Sequence, residues 1–203
     1  MNYRPAFNYI PVVVKNLIIV NVLILLGTFM LDKAGINLYT YLGLHFPLSD
    51  KFRPHQIFTH MFMHGDITHL FFNMFALYMF GRVLESVWGP KRFLLFYLVT
   101  GIGAAVIHSA VNFIEYYSVT SKLSVEEVEY VKEIGYGIWA EGKNFSNELP
   151  AKLNLLLNTP TVGASGAVFG ILLGFGMLFP NTQLMLLFPP IPIKAKYFVI
   201  GYG

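Results

Sequence analysis

The stretch Gly163-Ala164-Ser165-Gly166-Ala167-Val168-Phe169-Gly170 sets a serine between small residues at the start of an apolar run that continues to Phe179. Glycines let the backbone turn sharply and let another chain come close. The run after it reads as a helix, which puts Ser165 at a helix N-terminus. There, unpaired backbone N–H groups and the positive end of the dipole stabilise an anion. Nucleophilic acyl transfer needs that arrangement: an exposed hydroxyl beside donors aimed at a developing oxyanion. The same pattern also marks tight turns and close helix packing, so the chemistry needs further partners.

Length sharpens the reading. From Ser165 to Pro180 is about fifteen residues, or roughly 22 Å of helix. A bilayer core is about 30 Å thick. A helix that starts at the far face therefore stops below the opposite surface, with its serine end inside the membrane. A polar start at that depth is tolerated only within protein or beside a water-filled cavity.

Composition agrees with a membrane setting. Of 203 residues, 55% are hydrophobic, 16% aromatic and only 12% charged, and the mean hydropathy is +0.57. A soluble domain carries about twice that charge. Several long uncharged runs then indicate an all-α, polytopic helical membrane bundle. The absence of Cys excludes disulfides, a thiol nucleophile and thiolate metal sites. A net charge of +3, thinly spread, implies no nucleic-acid partner. The first apolar run lacks a small-residue cleavage site followed by a mature domain, so it reads as a retained span.

In chain order, a polar-aromatic lead (Met1 to Pro11, with Arg4) precedes a first span, Val12 to Leu31. Asp32 to Met63 is a long connection, lying partly in the membrane interface. Asp66 is placed to cap a second helix running to Gly81, followed by a basic turn from Arg82 to Arg92. Phe93 to Phe113 is a third span. Residues 115–160 differ in character, with seven Glu against four Lys. They read as an acidic extramembrane insertion with one amphipathic helix, begun by a capping box at Ser124 and Glu127, and a flexible turn through Glu141-Gly142-Lys143-Asn144. Its expected job is a solvated connector or lid. Ala167 to Phe179 is a fourth span, and a Pro-rich turn from Phe188 to Lys196 leads into the start of a fifth at Tyr197. Four complete spans plus that start are expected, as one domain over 1–203. Lys and Arg in short loops place the N-terminus in the cytoplasm and Ser165 toward the outer face.

Polar residues at membrane depth are costly and face a bundle interior or cavity. The second helix is expected to carry His64, His69 and Asn73 at its outer half: His69 and Asn73 lie about 40° apart on one face, and His64, roughly 140° from His69, is expected to serve something else. One reading has His69 and Asn73 bonding neighbouring helices. The other joins them to Ser165, whose depth they share, as donors of an oxyanion site. His60 and His64 would share a face if helical, but no Glu follows the first to give a His-Glu-x-x-His metal motif. Glu85 at the inner turn is expected to bond backbone groups and tie helices together. Gly166, Gly170 and Gly174 recur every four residues, a stripe that lets another helix approach closely; its partner is expected in a helix not present here.

Together, His64-x4-His69-x3-Asn73, Glu85-x3-Gly89 twelve residues later, and Gly163-x-Ser165-Gly166 opening a short helix resemble the rhomboid family of intramembrane serine proteases. The turn from Pro189 to Lys196 looks like that of bacterial members, which implies a bacterial inner membrane. The resemblance implies that Ser165 attacks a peptide carbonyl of a single-span membrane substrate. It implies that His69, Asn73 and the Ser165 backbone N–H hold the oxyanion, with His64 and the glycines Gly163 and Gly166 in support. It places Phe169 beside the catalytic histidine, and it calls for no cofactor or metal. Two departures stand out. Where many members carry Trp-Arg in the first loop, this chain has His55-Gln56. The family's general base is a histidine on a helix after the serine, whereas all six histidines here precede Ser165. His108 is a candidate substitute by position alone, and the family geometry gives it no such role. The expectation is that these residues are the N-terminal part of an active protease, with the base histidine beyond Gly203. The alternative is a non-catalytic rhomboid-like protein that binds membrane helices.

Overall fold

The computed structural model describes residues 10–185 and 192–202. Most of the lead segment, including Arg4, the first part of the Pro-rich turn and Gly203 lie outside the described residues.

Among the described residues, three helices are long and apolar enough to cross a bilayer. Helix α1 (Val12–Lys33) has 22 residues, roughly 33 Å of rise. Its polar Asn21 and Thr28 are buried, and each bonds back to a carbonyl of its own helix, Leu17 O at 2.7 Å and Ile24 O at 2.8 Å. Its Leu23 and Met30 face outward, as lipid contact requires. The connection to the second span holds the short helices α2 (Leu38–Leu42) and α3 (Gln56–Thr59) and a 3-10 turn, His60–Phe62.

The second span runs from Ile67 to Trp88. It comprises α4 (Ile67–Ala76), a wider π-type turn (Leu77–Gly81) and α5 (Arg82–Trp88). Asp66 caps it as expected, its carboxylate accepting the His69 N–H at 2.8 Å. The expected basic turn after Gly81 is instead helical to Trp88; it ends at Gly89, whose φ of +78° glycine adopts without strain. Glu85 performs its expected tie. Its two carboxylate oxygens accept the N–H groups of Val13 (3.0 Å) and Val14 (2.9 Å), two of the orphan donors at the start of α1.

Helix α6 (Pro90–Thr120) is longer than the expected third span, with 31 residues, roughly 46 Å. Its last turns therefore stand clear of a 30 Å core. The insertion packs on them as two helices, not one: α7 (Val125–Ala140), begun by the expected capping box, and α8 (Glu148–Asn158). They close a small core of their own, where Val131, Leu153 and Leu157 meet Val119 of α6 and Phe46 of the first connection.

Helix α9 (Ser165–Leu178) has 14 residues, too short for a full crossing, and is apolar on nearly every side. Such a helix belongs in an interior, and α9 is indeed the centre of the bundle. Ala167, Val168, Ile171 and Phe175 join the main core with Val14, Leu77, Phe93 and Tyr97. The glycine stripe does have its partner in this chain. A Cβ on Gly166 would stand 2.5 Å from Ala104 Cβ, one on Gly170 2.5 Å from Thr100 Cβ, and one on Gly174 3.0 Å from Trp88. Residues Ala104 and Thr100 belong to α6, so α6 fills the role assigned to an absent helix. A two-stranded antiparallel hairpin follows α9, β1 (Gln183–Met185) with β2 (Pro192–Lys194). It is a small departure from an all-helical chain. Helix α10 (Ala195–Tyr202) then returns along α9, with Val199 against Gly176.

Candidate active site

Ser165 is the first residue of α9 and is exposed. The turn that delivers it is held from three sides. Leu44 and Thr161 exchange both backbone hydrogen bonds, at 2.9 and 2.8 Å. The Thr161 hydroxyl bonds His108 Nε2 at 2.8 Å, and the Gly163 N–H donates to the His60 carbonyl at 3.0 Å. Gly163 then turns with φ +123°, a conformation side-chain-bearing residues rarely adopt. That turn brings the His69 ring over its Cα. A Cβ at Gly163 would lie 2.7 Å from His69 Cε1 and 2.8 Å from Nε2, with Ser165 Oγ 3.7 Å away. The histidine and the serine thus look onto the same space.

Helix α4 supplies the opposite wall. Asn73 is buried and spends one amide N–H on the His69 carbonyl at 3.1 Å, which leaves its second N–H to donate elsewhere. His69, Asn73 and Ser165, together with Phe72, Ala76, Val168, Phe169 and Leu172, line one cavity of about 200 Å³. Its lining is mostly apolar, with His69, Asn73 and Ser165 as its polar members. Donors fixed in this way around a hydroxyl are suited to holding a developing negative charge.

The remaining predicted residues fall elsewhere. His64 does not share a helix with His69, because α4 begins only at Ile67; the expected 140° offset therefore does not apply. The two rings instead meet edge to face, with centroids 5.1 Å apart. His64 is 1% exposed, and neither ring nitrogen has a hydrogen-bond partner among the described residues. His60 lies in the 3-10 turn and bonds the Gln56 carbonyl at 3.0 Å, so it shares no helical face with His64. Gly166 faces α6 rather than the cavity, as do Gly170 and Gly174 toward α6 and Trp88. Glu85 and Gly89 sit at the opposite end of the second span. His108 holds Thr161 and does not line the cavity.

Sequence reasoning missed Gln56. It is fully buried, and its side-chain oxygen accepts the N–H groups of His45 (3.3 Å) and Arg53 (3.1 Å) while its amide donates to the carbonyls of Lys51 (3.0 Å) and Thr40 (3.2 Å). This one amide organises the first connection from within. Its neighbour His55 bonds the Tyr41 carbonyl at 2.9 Å. The signal was only that Gln56 formed half of the His55-Gln56 departure from the family's pattern.

The fold and the cavity define an integral membrane protein built around a short central helix with a serine at its head. Residues 51–202 match the family profile described as the Rhomboid domain, and the chain belongs to the rhomboid family. It is 26% identical over 193 residues to Rhomboid protein 1, mitochondrial, of Saccharomyces cerevisiae, covering 93% of this chain and 44% of that one. It is 32% identical over 154 residues to RHOMBOID-like protein 12, mitochondrial, of Arabidopsis thaliana, covering 73% and 37%. It is 28% identical over 111 residues to Rhomboid protease AarA of Providencia stuartii, covering 55% and 29%. The chain thus spans less than half the length of these relatives. No solved structure matches it significantly.

Proposed function

We propose that this chain carries the nucleophile and oxyanion site of an intramembrane serine protease. The observation that carries the reading is the common cavity: Ser165, His69 and Asn73, from two helices nearly a hundred residues apart, meet at the head of a helix too short to cross. In the proposed step, Ser165 Oγ attacks a substrate peptide carbonyl and its proton passes to a base. The carbonyl oxygen takes the negative charge and is held by the Ser165 N–H, a ring N–H of His69 and the free N–H of Asn73. His64 packs against His69 and keeps its plane fixed, and Phe169 flanks the base. No histidine follows Ser165 in these 203 residues. The base is therefore assigned to an element outside them, in a Ser–His dyad.

The proposed substrates are single-span membrane proteins that enter from the bilayer. Residues 1–203 act as one rhomboid domain, with 115–160 as an extramembrane insertion. The proposed setting is a bacterial inner membrane, with the N-terminus in the cytoplasm and Ser165 toward the outer face. The name of the Providencia relative, a rhomboid protease, supports the catalytic reading.

The test uses the product of the whole coding region, purified in detergent with a fluorescent transmembrane substrate and a serine-reactive fluorophosphonate. Cleavage and labelling that both vanish in Ser165→Ala support the protease. A product without either, which still captures membrane helices, leaves the non-catalytic binder.

A further inference from the structure

Away from the serine, a second cavity of about 350 Å³ lies between the first connection and the insertion. Ser49, Asp50 and Lys51 line one side, and Lys132, Tyr136 and Asn158 the other. Two ammonium groups from separate elements thus face one space, with Asp50 the single carboxylate in its lining. The Lys51 Nζ stands 3.2 Å from the centre of the Tyr136 ring and donates to Asn158 Oδ1 at 2.8 Å. Both partners are neutral, and among the described residues Lys51 forms no ion pair. Burial pushes its ammonium below the usual lysine range, partly offset by Asp50. Lys132 spends one N–H on Glu129 at 2.9 Å on the exposed face of α7. Each ammonium carries three donors, so both keep capacity for an anion.

The same loop, through Pro47 and Phe52, also borders an apolar groove of about 290 Å³. Pro47, Phe52 and Ile57 form one wall, and Ala105, Ser109 and Phe113 of α6 the other. Small residues on α6 make that wall concave. Beside them Val106, Ile107 and Ile114 are exposed, a lipid-facing surface. Depth agrees as well. Counted from Pro90, Ala105 stands roughly 22 Å up the helix and Phe113 roughly 35 Å, which brackets the edge of a 30 Å hydrocarbon core. The groove therefore sits in the last part of one leaflet, and the lysines belong to the layer above it.

We propose that Lys51 and Lys132 bind the phosphate of an anionic phospholipid whose acyl chain lies in the groove between Pro47, Phe52, Ile57 and α6. A free phosphate ion shares the headgroup chemistry but has no use for the groove. The bound lipid joins the first connection, α6 and α7 into one unit. The site is independent of the protease reading, since it includes neither Ser165 nor its partners.

The test is native mass spectrometry of the full-length protein in a neutral detergent, titrated with phosphatidylglycerol, with inorganic phosphate as competitor. A basic side chain near an anionic lipid surface contributes about 1 kcal/mol. Lys132→Gln should therefore weaken phosphatidylglycerol binding roughly fivefold, and Lys51→Gln with Lys132→Gln roughly 25-fold. Ser109→Leu, which fills the groove, should weaken it without touching the lysines. Lys132 lies on an exposed helical face, so its single variant keeps the fold, checked by an unchanged melting temperature in lipid-free detergent. Wild-type affinity in both Lys132→Gln and Ser109→Leu would overturn the site. So would displacement of the lipid by inorganic phosphate with no effect of Ser109→Leu, which would mark a free-anion site.

Discussion

The imidazole of His69 rests on the bare Cα of Gly163, so close that a methyl group there would stand 2.7 Å from Cε1. One glycine therefore sets both the path of the chain into Ser165 and the position of the ring beside it. Its backbone is in a region where a side chain is strained, with φ +123°.

Gly163→Ala should accordingly fail twice. Backbone strain costs about 1–3 kcal/mol, and the methyl displaces His69 from the cavity. Fluorophosphonate labelling of Ser165 should fall at least tenfold, by roughly the 2.7–4 kcal/mol associated with an oxyanion donor where His69 is lost entirely. Labelling at the wild-type rate would show that His69 does not serve the serine.

Glu85 ties the second span to the start of the first through two hydrogen bonds from Val13 and Val14. Bonds to a charged acceptor contribute about 1.5–3 kcal/mol each. Glu85→Ala should thus lower stability by about 3 kcal/mol or more, read by thermal unfolding in detergent. Glu85→Gln keeps one acceptor oxygen and should lose about half as much. The site lies at the far end of the span, so residual folded protein should still react with the fluorophosphonate.

The contact of α9 with α6 makes a reciprocal prediction. Gly166→Ala places a methyl 2.5 Å from the Ala104 methyl, and overpacking of this kind costs about 1–3 kcal/mol. Adding Ala104→Gly should recover most of that loss, although alone it costs about 1 kcal/mol as a helix-interior glycine. A double-mutant cycle with no coupling would mean that the two helices are not in contact at this height.

His45 gives a pH dependence. It is 2% exposed, its ring nitrogens have no partner among the described residues, and burial, aided by the nearby Lys51 charge, lowers its pKa to about 4. The unfolded chain binds the proton near pH 6.5, the folded chain only near 4. Stability is then complete above 6.5 and is lost as pH falls toward 4, by about 1.4 kcal/mol per unit. Unfolding followed from pH 7.5 to 4.5 should show this slope, and His45→Phe should flatten it.

Local signals were read correctly where neighbours in the chain decide the outcome. The Asp66 cap, the Ser124–Glu127 box and the shared face of His69 and Asn73 all depend on spacings of three or four residues. The misplaced parts depend on distant partners. Extending helical geometry back to His64 failed because the chain turns before Ile67. The second helix of the insertion was hidden because part of what it buries against, Phe46, lies about a hundred residues earlier. The glycine stripe announced a close neighbour but not which one, and α6 had already passed in the sequence. Gln56 stood out only as part of a departure from the family's pattern, since its role comes from five backbone groups gathered by the loop around it.

The wide turn at Leu77–Gly81 has a consequence for how the second span tolerates changes in length. Such a turn holds one residue more than an α-helix needs, between His69 and Asn73 on one side and Glu85 on the other. Deleting a residue there is expected to tighten the turn to ordinary helix and leave both ends on their faces. Deleting one between His69 and Asn73 would instead swing one of them about 100° around the axis. The span thus has a slack link in its middle, and its two ends are insulated from each other's numbering.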